Sequence, residues 1–203
     1  MQNQSTTIFF DLFGVLLGVD QSVVVQYLSK LIETPYLETR EIAMGEPFMQ
    51  YERSEINFTQ YVDEIRAVLP NGDRIEADAL KGIWMNSSVG EMPAVSLLEK
   101  LLSDYQIWII SNTTESHIRS LRSKFEFLGR VGGIITSERV GVHKPNPKIF
   151  KFALAETNID ATSAIFIDDS RANTESAEGL GILAHYYTGF DGLIKFINYH
   201  LQI

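Results

Sequence analysis

Short runs of apolar residues, each bounded by polar or turn residues, recur along the chain. They lie at 7–10, 106–110, 133–136, 164–167 and 182–186. Continuous apolar runs of this length are typical of strands that are buried on both faces of a sheet. The segments between them carry apolar residues at helical spacing, as in Val95, Leu98 and Leu102. This alternation of strand and helix predicts an α/β fold with a doubly wound, Rossmann-like parallel sheet.

A long insertion follows the first predicted strand. Residues 11–105 separate it from the second strand, whereas a single crossover helix needs only about a dozen residues. Helical patterns, without a convincing strand run, occur in the insertion at 23–32, 59–69 and 77–84. We therefore predict a small helical cap at 19–90, inserted into an α/β core that consists of 1–18 and 91–203. A last helical pattern at 192–203 predicts a helix that packs against this core.

The acidic composition narrows the possible partners. The 203 residues include 26 Asp and Glu against 17 Lys and Arg, a formal net charge of -9, which would repel nucleic acid over most of the surface. Disulfides and cysteine nucleophiles are excluded because the chain has no cysteine. It has neither a signal-like start nor an apolar run of the roughly 18 residues that a membrane span needs. We expect a cytoplasmic monomer or homodimer that acts on a small molecule.

Polar residues follow the predicted strands at the end where open α/β sheets bind ligands. They are Asp11 after the first strand, Ser111 and Asn112 after the second, Lys144 after the third, and Asp168 and Asp169 after the fourth. This set, in this order, resembles the four motifs of the haloacid dehalogenase-like (HAD) hydrolase superfamily. The segment 136–150 is especially similar to the third motif region of that family, and the helical insertion resembles its first class of cap. Each motif alone is a weak signal, but four motifs in order across the whole chain are specific.

The resemblance implies a Mg²⁺-dependent hydrolase with Asp11 as its nucleophile. Mg²⁺ would be held by Asp11, the backbone carbonyl of Phe13 and Asp169, and Asp168 would be a further ligand or would orient metal-bound water. Phosphate would be bound by Lys144, the Ser111 hydroxyl and the Asn112 backbone N–H, while Gly14, Ser170 and Asn173 would support the loops. The chemistry agrees, since a carboxylate can attack phosphorus to form an aspartyl-phosphate. A divalent cation with hard oxygen ligands relieves the repulsion between the two anions.

Phe13 departs from the family pattern. HAD phosphatases carry a second aspartate two residues after the nucleophile as a general acid, and its loss would slow hydrolysis of alkyl phosphates by about 10²–10⁴. Sugar 1-phosphates, acyl phosphates and aryl phosphates would suffer least. An aromatic residue here is similar to the metal-independent 2-haloacid dehalogenases, so dehalogenation stays open, as does a weakened protein that binds or regulates. The pair Asp168 and Asp169 favours a Mg²⁺-dependent phosphatase that acts on a small phosphorylated metabolite, because an anionic haloacid would be repelled there.

Simpler structural roles are also open for these residues. Asp11 could form a turn or cap a helix. Asp168 and Asp169 could cap a helix that starts near Asn173, and the segment 111–113 could cap the helix that contains Ile118. None of the four histidines has the spacing of a zinc ligand.

Overall fold

The computed structural model describes residues 6–52, 55–86 and 89–202. The chain divides into two compact units. The core unit consists of Met1–Gly18 and Glu91–Ile203, and the insert unit consists of Val19–Gly90. No helix in the described ranges is long and apolar enough to cross a membrane.

The strands of the core unit form one parallel sheet. The described strands are β1 (Thr7–Phe10), β2 (Leu17–Val19), β3 (Val89–Glu91), β4 (Gln106–Ser111), β5 (Gly133–Thr136), β6 (Ala164–Asp168) and β7 (Leu183–Tyr186). Five of them pair in the order β5-β4-β1-β6-β7. Phe10 at the end of β1 lies opposite Ile109 of β4 and Ile167 of β6. The predicted doubly wound parallel fold is confirmed, and the three central strands end within two residues of the same level.

The apolar runs form the strands because their side chains fill the core. All residues of β1 and β6 are buried, and Phe9, Phe150 and Phe166 belong to one buried apolar cluster. The prediction that all five strands are buried on both faces is wrong for β7, whose residues are half-buried or exposed. This strand lies at one edge of the sheet, whereas β5 at the other edge is largely buried.

The insert unit is helical, as the periodicity predicted. Its helices are α1 (Ser22–Leu31), α2 (Tyr36–Ala43), α3 (Glu46–Glu52), α4 (Phe58–Val68) and α5 (Ala77–Asn86), with a 3-10 helix at Gly72–Arg74 between the last two. Leu28, Tyr61 and Ile65 are fully buried in its own apolar core. Two features were not predicted, namely the helices α2 and α3 and the two-stranded sheet of β2 and β3.

Six further helices belong to the core unit. They are α6 (Ala94–Leu101), α7 (Glu115–Arg122), α8 (Ser137–Val140), α9 (Pro147–Thr157), α10 (Arg171–Glu178) and α11 (Phe190–Leu201), with 3-10 helices at Glu126–Gly129 and Ala161–Ser163. The start of α9 follows from its sequence, since Asn146 caps it and Pro147 occupies the first helical position. The predicted C-terminal helix is α11, which buries Leu193 and Ile197 and packs against α6.

Candidate active site

Asp11 stands at the end of the central strand. Its backbone N–H donates to the Ile167 carbonyl at 2.8 Å, so the pairing of β1 with β6 continues one residue beyond the strand. The Oδ1 atom of Asp11 accepts a hydrogen bond of 2.7 Å from the Leu12 N–H. The side chain is buried, and its carboxylate is therefore fixed in direction by the sheet and by the first residue of the following turn.

Gly14 lets that turn approach the loop after β6. Its φ is +85°, a left-handed conformation that glycine adopts without steric cost. A Cβ atom at this position would lie 2.0 Å from Oδ2 of Asp169. The contact explains why a residue without a side chain stands here, and it places Gly14 against a predicted metal ligand.

Lys144 joins the loops after β1, β5 and β6. Its Nζ lies 2.7 Å from Oδ1 of Asp11 and 2.6 Å from Oδ2 of Asp168, and the side chain is buried. Asn112 fixes the lysine backbone, because its Oδ1 accepts from the Lys144 N–H at 2.7 Å and its Nδ2 donates to the Lys144 carbonyl at 3.0 Å. These two bonds of the Asn112 side chain were not predicted from the sequence, and they are separate from the phosphate contact predicted for its backbone N–H.

Asp168 and Asp169 have different surroundings. Asp168 is fully buried, and its Oδ1 accepts from the Ser170 N–H at 2.7 Å and from Nδ2 of Asn173 at 2.9 Å. Lys144 occupies Oδ2, so both oxygens of Asp168 already have donors from the chain. Asp169 is exposed to solvent. This contrast favours Asp169 over Asp168 as a direct ligand to a metal ion.

The three carboxylates concentrate acidic groups in a small volume. Asp11, Asp168 and Asp169 each offer an oxygen, and these oxygens lie within 4.8 Å of one another. Burial raises the pKa of Asp11 to about 8; attraction to Lys144 offsets part of this effect and repulsion from Asp168 adds to it. Burial alone would lower the pKa of Lys144, but attraction to Asp11 and Asp168 outweighs it and raises the pKa. The oxygen ligands and the excess negative charge fit a divalent cation such as Mg²⁺.

The Ser111 hydroxyl is a candidate donor for an anion. Ser111 ends β4 and is buried, and none of the described residues makes a hydrogen bond to its Oγ. An unsatisfied buried hydroxyl costs about 1–3 kcal/mol, so such a group calls for an explanation. An oxygen of a bound substrate would satisfy it.

An aromatic pair that the sequence did not predict adjoins these residues. The rings of Phe13 and His117 stack with centroids 5.3 Å apart and an interplanar angle of 21°. Nδ1 of His117 lies 3.2 Å from the hydroxyl oxygen of Thr113. Burial, aided by repulsion from Lys124, lowers the pKa of His117. The sequence analysis examined histidines only for the spacing of metal ligands. His117 has no such spacing, and its contact is with the ring of Phe13.

The helix caps differ from the alternatives drawn from the sequence. Thr114, and not the segment 111–113, caps α7 by accepting a hydrogen bond from the His117 N–H at 3.2 Å. The helix after Asp169 begins at Arg171, and Ser170 rather than Asp168 or Asp169 occupies its N-cap position. Ser111, Asn112 and Thr113 are thereby left for other contacts.

Comparisons with known proteins agree with this arrangement. The family model described as haloacid dehalogenase-like hydrolase matches residues 8–185. A D-ribitol-5-phosphate phosphatase from Bacteroides thetaiotaomicron is 22% identical over 188 residues and covers 86% of this chain and 87% of the relative. A solved HAD family enzyme from the same organism, in complex with magnesium and inorganic phosphate, is 25% identical with a TM-score of 0.70, over 89% of this chain and 93% of that one. An L-2-haloacid dehalogenase shares the fold at 18% identity and a TM-score of 0.65, over 89% and 83% of the two chains.

Proposed function

Because the chain belongs to the haloacid dehalogenase-like hydrolase family, we propose that it is a Mg²⁺-dependent phosphatase for a small phosphorylated metabolite, with Asp11 as the nucleophile. The observation that carries the proposal is the acidic cluster. Three carboxylates offer oxygens within 4.8 Å of one another, and two of them contact the Lys144 ammonium. An anionic substrate would be repelled by this cluster unless a cation were bound with it.

Each residue has a separate task in the proposed reaction. Asp11 attacks phosphorus, so that a bond from its carboxylate oxygen forms while the bond from phosphorus to the leaving oxygen breaks, and water then cleaves the aspartyl-phosphate. Lys144 holds the attacking carboxylate in place and, with the Ser111 hydroxyl and the Asn112 N–H, binds phosphoryl oxygens. Mg²⁺ would be held by Asp11, the Phe13 carbonyl and Asp169, and it would neutralise charge on the phosphoryl oxygens.

The loop after β6 serves the reaction indirectly. Ser170 and Asn173 hold Oδ1 of Asp168, and Asp168 in turn holds the Lys144 ammonium. We assign Asp168 a positioning role on this basis, with Asp169 as the direct ligand. The insert unit, as a cap, would select the substrate.

Two relatives support the phosphatase rather than a second activity. One is a D-ribitol-5-phosphate phosphatase, and the other binds magnesium together with inorganic phosphate. Dehalogenation is the second candidate because Phe13 replaces the usual acid. In that reaction the Asp11 carboxylate would displace halide from carbon without a metal.

Activity assays separate these functions. We expect the purified protein to hydrolyse p-nitrophenyl phosphate in the presence of Mg²⁺, and we expect EDTA to stop this hydrolysis. Asp11→Asn should remove the activity. Asp191→Asn makes the same change at an exposed position of α11 and should leave the rate unchanged. Turnover without metal would contradict the proposal. Halide release from 2-chloropropionate in EDTA would establish the dehalogenase, and no response in either assay would favour a binding protein.

A further inference from the structure

We propose that Phe13 and His117 form a platform that binds a flat, weakly basic leaving group, and that His117 acts as a positioning residue by fixing the Phe13 ring. This inference rests on the proposed phosphatase function. It names the class of substrate as phosphate esters of aromatic or similarly flat alcohols, whose leaving oxygen departs without a proton.

The position of Phe13 is the first ground for the proposal. It lies two residues after the nucleophile and is followed by the left-handed turn at Gly14, whose N–H donates to the Leu17 carbonyl at 2.9 Å. A phenyl ring has neither a proton to give nor a hydrogen bond to offer a leaving oxygen. Phe13 is only half-buried although His117 covers one face of its ring. Part of its side chain therefore stays exposed, two residues after the nucleophile in the sequence.

The way in which His117 is held is the second ground. The near-parallel stack at 21° requires a fixed imidazole, and two contacts fix it. The backbone N–H of His117 is bound by the helix cap Thr114, and its ring nitrogen is bound by the Thr113 hydroxyl. The Thr113 carbonyl accepts a hydrogen bond of 3.2 Å from the Ser137 hydroxyl, and Thr113 is itself buried. The chain of contacts runs from the loop after β4 to the ring beside the nucleophile.

A flat leaving group is the occupant that suits such a ring. Aromatic rings attract one another in offset-stacked or edge-to-face geometry, with a preference beyond the area that they bury. A leaving group of low basicity also removes the need for the general acid that position 13 lacks. Binding and chemistry would thus favour the same substrates.

The test compares two substrates whose leaving groups both depart without a proton, p-nitrophenyl phosphate and acetyl phosphate, of which only the first carries a ring. In His117→Ala we expect the kcat/KM for p-nitrophenyl phosphate to fall about two- to tenfold relative to that for acetyl phosphate, the fold-change that corresponds to an aromatic pair. His117→Phe, which keeps a ring, should restore most of this ratio. In a Phe13→Leu background, His117→Ala should change the ratio no further.

His200→Ala is the control, since His200 contacts the ring of Phe196 on α11 in a His–Phe pair tilted at 51°, and it should leave the ratio unchanged. Equal losses for both substrates in His117→Ala would leave the ratio unchanged, would show a structural contact only and would overturn the platform. Wild-type kcat/KM for both substrates would overturn it as well. If the wild-type protein turned over neither substrate with Mg²⁺, the proposed function itself would fail, and this inference with it.

Discussion

Replacing Gly14 with alanine would add one carbon atom where the turn after β1 meets Asp169. The added Cβ would lie 2.0 Å from Oδ2 and 2.7 Å from Cγ of that carboxylate. Non-bonded heavy atoms reach their best separation at about 3.5 Å, so Oδ2 would have to move by about 1.5 Å. Mg²⁺ holds its ligands near 2.0–2.1 Å with little tolerance. A shift of this size would remove Asp169 from the coordination of the ion.

The alanine would also strain the backbone, and this effect has to be measured separately. A left-handed conformation costs a residue with a Cβ about 1–2 kcal/mol. Gly181 provides the matched control because its φ is +86° and the nearest atom to an added Cβ would be 3.8 Å away. We expect Gly14→Ala and Gly181→Ala to lose a similar free energy of unfolding from this strain, and only Gly14→Ala to lose the metal.

Two measurements decide the matter. Urea unfolding in EDTA gives the stability of each variant without metal, and isothermal titration calorimetry gives its affinity for Mg²⁺. We expect the affinity for Mg²⁺ to be about 10–100-fold weaker in Gly14→Ala, which is the loss that follows when groups supporting a metal site are removed. Wild-type affinity in Gly14→Ala would refute the assignment of Asp169 as a ligand. An equal loss in Gly181→Ala would attribute the effect to the backbone.

Other variants and conditions test the remaining residues of the site. Burial raises the pKa of Asp11 to about 8, so below that pH a proton competes with Mg²⁺ for the carboxylate. Calorimetry should show the Mg²⁺ affinity rising by up to about tenfold per pH unit from pH 6 and levelling off above the pKa. A flat profile would contradict this. Ser111→Ala should weaken inhibition by inorganic phosphate by about tenfold or more, because hydrogen bonds to charged groups contribute about 1.5–3 kcal/mol. Urea unfolding should show no loss of stability in this variant, since the hydroxyl has no partner within the described ranges. Asn112→Ala breaks both bonds to the Lys144 backbone and should lower the free energy of unfolding by about 1–3 kcal/mol. It should also lower kcat by a larger factor than it raises KM. An unchanged kcat would show that Asn112 does not position Lys144.

The core sheet was predictable because a simple rule connects its sequence with its geometry. Continuous apolar runs form strands buried on both faces, and parallel strands bring their carboxyl ends to one edge. That rule alone placed Asp11, Ser111 and Asp168 at neighbouring strand ends, and the register of β1 with β4 and β6 agrees. Neither the rule nor the resemblance gave the direction of the Asn112 side chain, which depends on a loop 32 residues away.

The elements that were missed carry little apolar periodicity. Helix α2 buries only Thr39 and Ala43, so its sequence lacks the apolar stripe that predicts a helix. The strands β2 and β3 have three residues each, too few for an alternating pattern to be recognised. The burial of β7 was overestimated because an apolar run does not show how fully other elements cover the faces of its strand; edge position alone does not decide this, since β5 at the other edge is largely buried.

Three features that are unfavourable for stability meet at one place in the core unit. Asp11 is a buried carboxylate, Ser111 is a buried hydroxyl that lacks a partner among the described residues, and Gly14 is held in a left-handed turn against Asp169. Local conflicts of this kind are expected at functional sites, where the rest of the fold supplies the stability. A cation beside the carboxylates and an anionic oxygen on Ser111 would relieve the first two conflicts together. The same two ligands are those that a phosphatase must bind, and for this reason the unfavourable features support the function more strongly than the strand-end positions alone.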